Sequence, residues 1–466
     1  MVEPACVTIP LPTGGPWSAL FVSHDQEFQA SDARGSWAEA TGMLERLKKA
    51  LFRVPALQEA WSRIRARDFE RTYASRRDEY ARRAEERGLV YQEADVVAAV
   101  RDRLARRGAA PRRRKPGEVH TFTFVPRISW HASLLPDLRE LGPVTEFDYA
   151  ALGYDWFEFY RQDARAARRR REMNSRALAA LQDAHARRHV DWMFVYASGL
   201  EVHVDFLRAV TEEIGIPVVN MCLDDKQSWT GPMLDGQRPG QVDIGPAFDL
   251  SWTSARVACE WYLVEGARPI YLPEGFDASL FRPLDVARDI PASFIGGAYG
   301  FRPAVVRYLR RRGIPLQVFG DGWNTRSLTP EEQVGVINRS AVNLGMGGVV
   351  HSETITNLKG RDFEIPGAGG GLYLTSFNPD LARHFDVGRE ILCYRNREEM
   401  VELIRQALKH PEESREIARR ARERSLREHR WLHRYRRVLE ILGILDDELR
   451  APAAGRRPAA ESGRPS

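Results

Sequence analysis

Residues 358–376 read LKGRDFEIPGAGGGLYLTS, and the fold turns on which side of a helix these glycines lie. A dinucleotide-binding loop runs strand, glycines, helix, so that the helix N-terminus faces the phosphates. Here the pattern predicts a helix over 357–367 and a strand over 372–375, which is the reverse order. Gly367–Gly371 are therefore read as a helix C-cap and a tight helix-to-strand turn. On that reading the stretch is one αβ step of a parallel sheet. Its chemistry then rests on the charged residues before the glycines, Lys359, Arg361 and Glu364.

The same alternation continues on both sides. Strands are predicted at 292–296, 316–319, 341–344, 372–375 and 390–393, with helices at 302–312, 330–339, 357–367, 379–385 and 396–409. Asn396 is placed to cap the last of these, and Pro411 to end it. An earlier series has strands at 120–125, 144–147, 192–197, 217–221, 250–253 and 269–272. The Pro-containing connector YLPEGFDASLFRPLD, 271–285, separates the two. Strands alternating with helices imply an α/β protein with mainly parallel sheets. Five segments are expected: a mainly helical region at 1–117 ending in an Arg-rich linker, Rossmann-like domains at 118–285 and 286–430, a C-terminal helix at 431–450, and a low-complexity, disordered tail at 451–466. Two such domains leave a cleft, and ligands bind beyond the carboxyl ends of the strands.

Of 466 residues, 43% are hydrophobic and 29% charged, as in soluble globular proteins, and the formal net charge is +5. The basic excess sits in two runs, ARRGAAPRRRKPG at 105–117 and RQDARAARRRR at 161–171. Neither interleaves aromatics, so they read as linker and helix surface rather than a nucleic-acid site. Cys6, Cys222, Cys259 and Cys393 are scattered without metal-ligand spacing, which points to a reducing compartment. The N-terminus lacks a basic n-region, and no window approaches 18 uninterrupted apolar residues, so a cytoplasmic protein is expected.

A second glycine cluster, GMGGVVHSETITN at 345–357, does lie between a strand and a helix. Gly345, Gly347 and Gly348, with Thr356 and Asn357 at the following helix start, are candidates to cradle a diphosphate; a plain surface loop is the alternative. There is no GxxxxGK[ST], DxD, HExxH or GxSxG sequence, and no metal site is expected. Asp224 and Asp225, just past a strand end, read either as functional acids or as helix caps.

The stretch 358–413 resembles the C-terminal domain of the CgeB-like glycosyltransferases, relatives of the retaining GT-B enzymes. YLPEGFDASLFRP (271–283) is similar to their interdomain segment, and SFIGGAYGFRPAVVRYL (293–309) to the opening of their nucleotide-sugar domain. The resemblance spans about 118–440. It implies a GT-B fold, two Rossmann-like domains facing a central cleft, with no resident cofactor or metal and a nucleoside-diphosphate sugar as donor. It places Glu364 at the acid that ends the E-x7-E signature and holds the donor ribose. The first acid of that signature falls at Thr356, where the match departs from the family; Glu353 is out of register. Arg361, Lys359 and Arg302 become candidates to stabilise the leaving diphosphate.

In the first domain, His131 and His203 each follow a strand and are candidates to contact the transferred sugar or the acceptor hydroxyl. Trp130 and Trp229 are read as sugar-stacking or core residues. The expected activity is transfer of a sugar to an acceptor hydroxyl with retention. The alternatives are a nucleotide-sugar-binding protein that has lost turnover, or a nucleic-acid-associated protein. The acceptor is left open, and residues 1–117 are candidates to govern acceptor choice or homo-oligomerisation.

Overall fold

The computed structural model describes residues 55–446 apart from 110, 129, 130 and 324. Trp130, residues 1–54 of the region expected to be helical (Cys6 among them) and the tail expected at 451–466 lie outside the described residues.

Two helices lead, α1 (Pro55–Glu86) and α2 (Glu93–Arg106). The first sheet series follows: β1 (Thr121–Phe124), α3 (His131–Leu141), β2 (Val144–Glu146), α4 (Trp156–Phe159), α5 (Ala164–Arg187), β3 (Trp192–Val195), α6 (Val204–Ala209), β4 (Val218–Cys222), β5 (Leu250–Thr253), α7 (Ala258–Val264) and β6 (Pro269–Tyr271). The second comprises β7 (Ile290–Ile295), α8 (Arg302–Arg311), β8 (Leu316–Phe319), α9 (Pro330–Arg339), β9 (Ser340–Leu344), α10 (Arg361–Ala368), β10 (Leu372–Ser376), β11 (Leu392–Tyr394), α11 (Arg397–Lys409) and α12 (Pro411–Glu428). A final helix, α13, spans Trp431–Leu442.

Every strand pair is parallel, in the orders β2-β1-β3-β4-β5-β6 and β11-β10-β9-β7-β8. This is the expected α/β class, with two Rossmann-like sheets. The central strands are buried on both faces, which is why β3 (WMFV) and β4 (VVNMC) read as continuous apolar runs. Asn396 caps α11, its side chain accepting from the Glu399 N–H at 2.8 Å. Two predicted helices change. The one expected at 357–367 starts at Arg361, because Asn357 is held in a β-type pairing with Gly347 and Asp362 accepts from the Lys359 N–H at 2.8 Å. The one expected at 379–385 is a single 3-10 turn, Leu381–Arg383.

The glycine run does turn the chain. Gly369 terminates α10 at φ +66°, a left-handed conformation that favours glycine. Gly367 leaves room for the Phe276 ring beside the helix. In the Arg-rich stretch 105–117, Arg107 reaches the buried Asp249 and Arg114 pairs with Asp191 at 2.8 Å.

The chain crosses between the sheets twice, and the two crossings lie side by side. Phe276 N–H donates to His429 O at 3.1 Å, and Trp431 N–H donates to Phe276 O at 3.3 Å. After the return, α13 packs on the first sheet, with Tyr435 edge-on to Phe194 at 5.6 Å. On the other side, α1 packs on α7 through Tyr80, Trp229 and Trp261 and touches the second domain, Glu70 accepting from Ser352 Oγ at 2.6 Å and from Thr354 Oγ1 at 2.8 Å.

Candidate functional site

In the second sheet the chain moves from β7 to β8 on one side and then to β9 on the other. The carboxyl ends of β7 and β9 are therefore a topological switch point, where open α/β sheets bind ligands. In the first sheet the same reversal falls between β1 and β3. A cleft of about 480 Å³ lies between the domains. Its second-domain wall includes Gly296, Gly297, Arg302, Lys359, Gly360, Arg361 and Glu364; its first-domain wall includes Ser133, Trp156, Tyr196 and Asp224.

The loop after β7 sets the electrostatics. Gly296 has φ +155°, and the space where a side chain would start is occupied by two cations, with Arg361 Nη2 3.0 Å and Arg302 Nη1 3.4 Å from that point. Both guanidinium carbons lie over the Phe294 ring, at 5.4 and 5.5 Å from its centroid, and Arg302 also stacks on Tyr299 at 4.0 Å. Arg302 is buried, and its Nη1 donates to Gly297 O at 3.2 Å. Arg361 forms no ion pair with a described residue, and its Nη1 is buried without a hydrogen-bond partner. Two convergent guanidiniums, one with an unsatisfied Nη1, thus lie on a glycine loop at the switch point and concentrate positive charge there.

Arg361, Arg302, Lys359 and Glu364, four of the residues singled out in the sequence, are thus brought together. Glu364 is half-buried one turn along α10 from Arg361. Burial, with the Asp362 charge adding and Arg361 opposing, pushes its carboxyl up to about 7. Lys359 reaches across the cleft, its Nζ 3.8 Å from Asp224 Oδ1. Asp362 takes no part in that pair: its carboxylate accepts from Lys359 N–H and from Tyr373 Oη inside the domain. Asp224 is thus a cleft acid and not a helix cap. Asp225 is a core residue, accepting from Thr253 Oγ1 and Tyr262 Oη, and burial pushes it up to about 6.

The structure does not bring the other candidates to the cleft. Gly345 N–H donates to Leu374 O and Gly347 N–H to Ser376 Oγ, while Gly348 pairs with Thr356 in a hairpin-like bridge. The 345–357 loop therefore spends its donors on β10 and on itself, and Gly296–Gly297 take the place in the cleft wall expected for it. Thr356 O accepts from the buried Lys226 Nζ at 2.6 Å, a strut between the domains. Asn357 is buried behind the wall, both side-chain polar atoms lacking a hydrogen-bond partner. His131 is buried with Nε2 3.8 Å from Glu146, and burial lowers its pKa. His203 caps α6, Nδ1 accepting from Asp205 N–H at 3.2 Å while Nε2 lies 3.1 Å from Asp235 O. Trp229 is core, donating to Tyr80 Oη at 2.8 Å.

Sequence reasoning missed Glu274, Trp156 and Tyr196. Glu274 lies in the quoted connector, but nothing in a lone acid there signals that it is buried in the cleft wall. Trp156 donates to Glu201 Oε1 at 2.6 Å and presents the remainder of its ring to the cleft. In the second Arg run, Arg169 pairs with Glu158, and Arg170 and Arg171 pair with Asp235. No cluster able to hold a metal ion occurs among the described residues, and no described helix is long and apolar enough to cross a membrane.

These features define an α/β protein with an interdomain cleft lined by converging cationic side chains. Residues 302–440, which carry all four converging side chains and most of α13, match the family model described as "Glycosyl transferase-like". The second domain is thus glycosyltransferase-like. No curated protein matches the chain. Among solved structures, an α,α-trehalose-phosphate synthase (UDP-forming) from Burkholderia xenovorans is 13% identical, with 70% of this chain and 100% of that one covered at a TM-score of 0.46. Anabaena HepE in complex with UDP-glucose is 11% identical, with 70% and 99% covered at 0.46. The sucrose-phosphate synthase of Thermosynechococcus elongatus is 13% identical, with 57% and 78% covered at 0.42.

Proposed function

We propose that the protein is a retaining, metal-independent glycosyltransferase of CgeB-like type, moving a sugar from a nucleoside-diphosphate donor to an acceptor hydroxyl. The observation that carries this reading is the convergence of Arg361 and Arg302 on Gly296, with Arg361 Nη1 buried and unsatisfied. A diphosphate supplies the oxygens Arg361 Nη1 lacks, and guanidinium forks match phosphate geometry. Glu364, from the same helix, accepts the ribose hydroxyls. Lys359 adds a third cation at the mouth of the site.

In the proposed reaction the bond between the sugar anomeric carbon and the diphosphate oxygen breaks as the acceptor oxygen bonds to that carbon on the same face. The acceptor proton passes to the departing diphosphate oxygen. Charge builds on the diphosphate, where Arg361, Arg302 and Lys359 stabilise it without reorganising. Neither His131 nor His203 has a role here, since both are engaged away from the cleft. A protein that binds nucleotide sugars without turnover is the second reading, favoured by Thr356 standing where the family signature has its first acid.

Calorimetric titration with UDP, GDP and dTDP, followed by mass spectrometry of products from a nucleotide-sugar panel, separates these readings. Transfer or donor hydrolysis supports the enzyme; tight binding without product supports the second reading; no binding defeats both.

A further inference from the structure

Glu274 belongs to the first interdomain crossing and is 3% exposed, yet it lines the cleft. Its Oε2 is buried and has no hydrogen-bond partner. The backbone around it is held firmly: Glu274 O and Pro273 O both accept from the buried Arg434 Nε, at 3.3 and 3.2 Å. The next residue, Gly275, lies against the Trp431 backbone, where an added Cβ would come within 2.7 Å of its nitrogen. The backbone that carries the carboxyl is therefore fixed by both crossings. A buried polar atom without a partner is costly, and so marks either strain or a missing ligand.

Its surroundings point to a ligand. Asp224 and Lys359 face each other at 3.8 Å in the same cleft. Burial pushes the Glu274 carboxyl up to about 8, with Asp362 and Asp224 adding and Lys359 opposing. At neutral pH it is then largely a neutral acid, able to donate one hydrogen bond and accept others. A hydroxyl-bearing ring suits a carboxyl that both donates and accepts. Trp431 also borders the cleft, its ring stacked on Tyr435 in the core beneath.

Building on the proposed function, we infer that Glu274 binds hydroxyl groups of the transferred sugar, so that the interdomain crossing itself reads the donor's sugar while Arg361 and Glu364 read its nucleotide. Glu274 is a specificity-determining contact in this assignment, and it becomes satisfied only when a sugar occupies the cleft.

The test compares wild type, Glu274→Leu and Glu274→Gln by calorimetry and steady-state kinetics. The probes are UDP, GDP and dTDP alone, and UDP-glucose, UDP-N-acetylglucosamine, GDP-mannose and dTDP-glucose. For Glu274→Leu the expected result is bare-nucleotide affinity within about twofold of wild type, and at least a tenfold loss in affinity and kcat/KM for the preferred nucleotide sugar. Glu274→Gln, which retains a donor and an acceptor, is expected to recover part of the loss. The inference is overturned by an unchanged kcat/KM in Glu274→Leu, by equal losses for nucleotide and nucleotide sugar, or by a wild type that gains no affinity from any attached sugar. If wild type binds none of the bare nucleotides, the proposed function itself fails and this inference falls with it.

Discussion

Arg361 and Arg302 direct their guanidinium groups at the same glycine, Gly296, from two different helices. Like charges converge in this way at a cost unless an anion joins them, so the fold holds the site at the expense of its own stability. In Arg361→Met, measured without ligand, the thermal unfolding midpoint is expected to rise by a few °C, about 1 kcal/mol of relief. Differential scanning calorimetry checks this; a fall in the midpoint would show that the Phe294 stacking outweighs the buried, unsatisfied Nη1.

Glu364 gives the site a pH dependence. Its carboxyl, pushed up mainly by burial to about 7, is mostly protonated at pH 6 and mostly ionised at pH 8. Only the ionised form accepts hydrogen bonds from both ribose hydroxyls. UDP affinity is therefore expected to rise by up to about tenfold between pH 6 and pH 8 in wild type and to stay flat in Glu364→Gln. dTDP, which lacks the 2′-hydroxyl, is expected to show a smaller rise.

Glu274 gives a stability effect of defined sign. Its folded pKa, about 8, lies above the ordinary 4.5, so the unfolded chain releases this proton first as pH rises. Its contribution to stability is present below about pH 4.5 and is lost as pH climbs through about 8. Glu274→Leu is accordingly expected to raise the unfolding midpoint more at pH 8 than at pH 5, by several °C at most. An equal effect at both pH values would contradict the burial argument.

The N-terminal helix α1 is a strap across both domains. Glu70 accepts from Ser352 and Thr354, and Ser62 Oγ lies 3.0 Å from His351 Nδ1. Glu70→Ala is expected to speed amide hydrogen exchange in 349–357 by about tenfold, corresponding to roughly 1–2 kcal/mol lost from local opening, while exchange in β3 and β4 is unchanged.

Much of this architecture was legible because parallel sheets write themselves as apolar runs spaced by amphipathic helices. Arg361, Arg302, Lys359 and Glu364 were also legible, since the strand–loop–helix order places the residues after β7 and those opening α10 at the edge of the second sheet. The 345–348 glycines misled for a local reason: glycine permits both an open phosphate cradle and a self-paired loop, and the choice here depends on Ser376 and Leu374 from a strand about 30 residues later. His131 and His203 misled similarly, their partners Glu146 and Asp235 being set by tertiary packing. Glu274 was invisible because its burial arises from a second crossing 157 residues further along the chain, at Trp431.

The central claim, that the Arg361–Arg302 pair on Gly296 receives a nucleoside diphosphate, is tested most directly by isothermal titration of UDP, GDP and dTDP into wild type and Arg361→Ala. Wild type is expected to bind at least one of them, and Arg361→Ala to weaken it by tenfold or more, on the order of 1.4 kcal/mol or greater. Wild type that binds none of the three, or an Arg361→Ala protein that binds as well as wild type, would contradict the account.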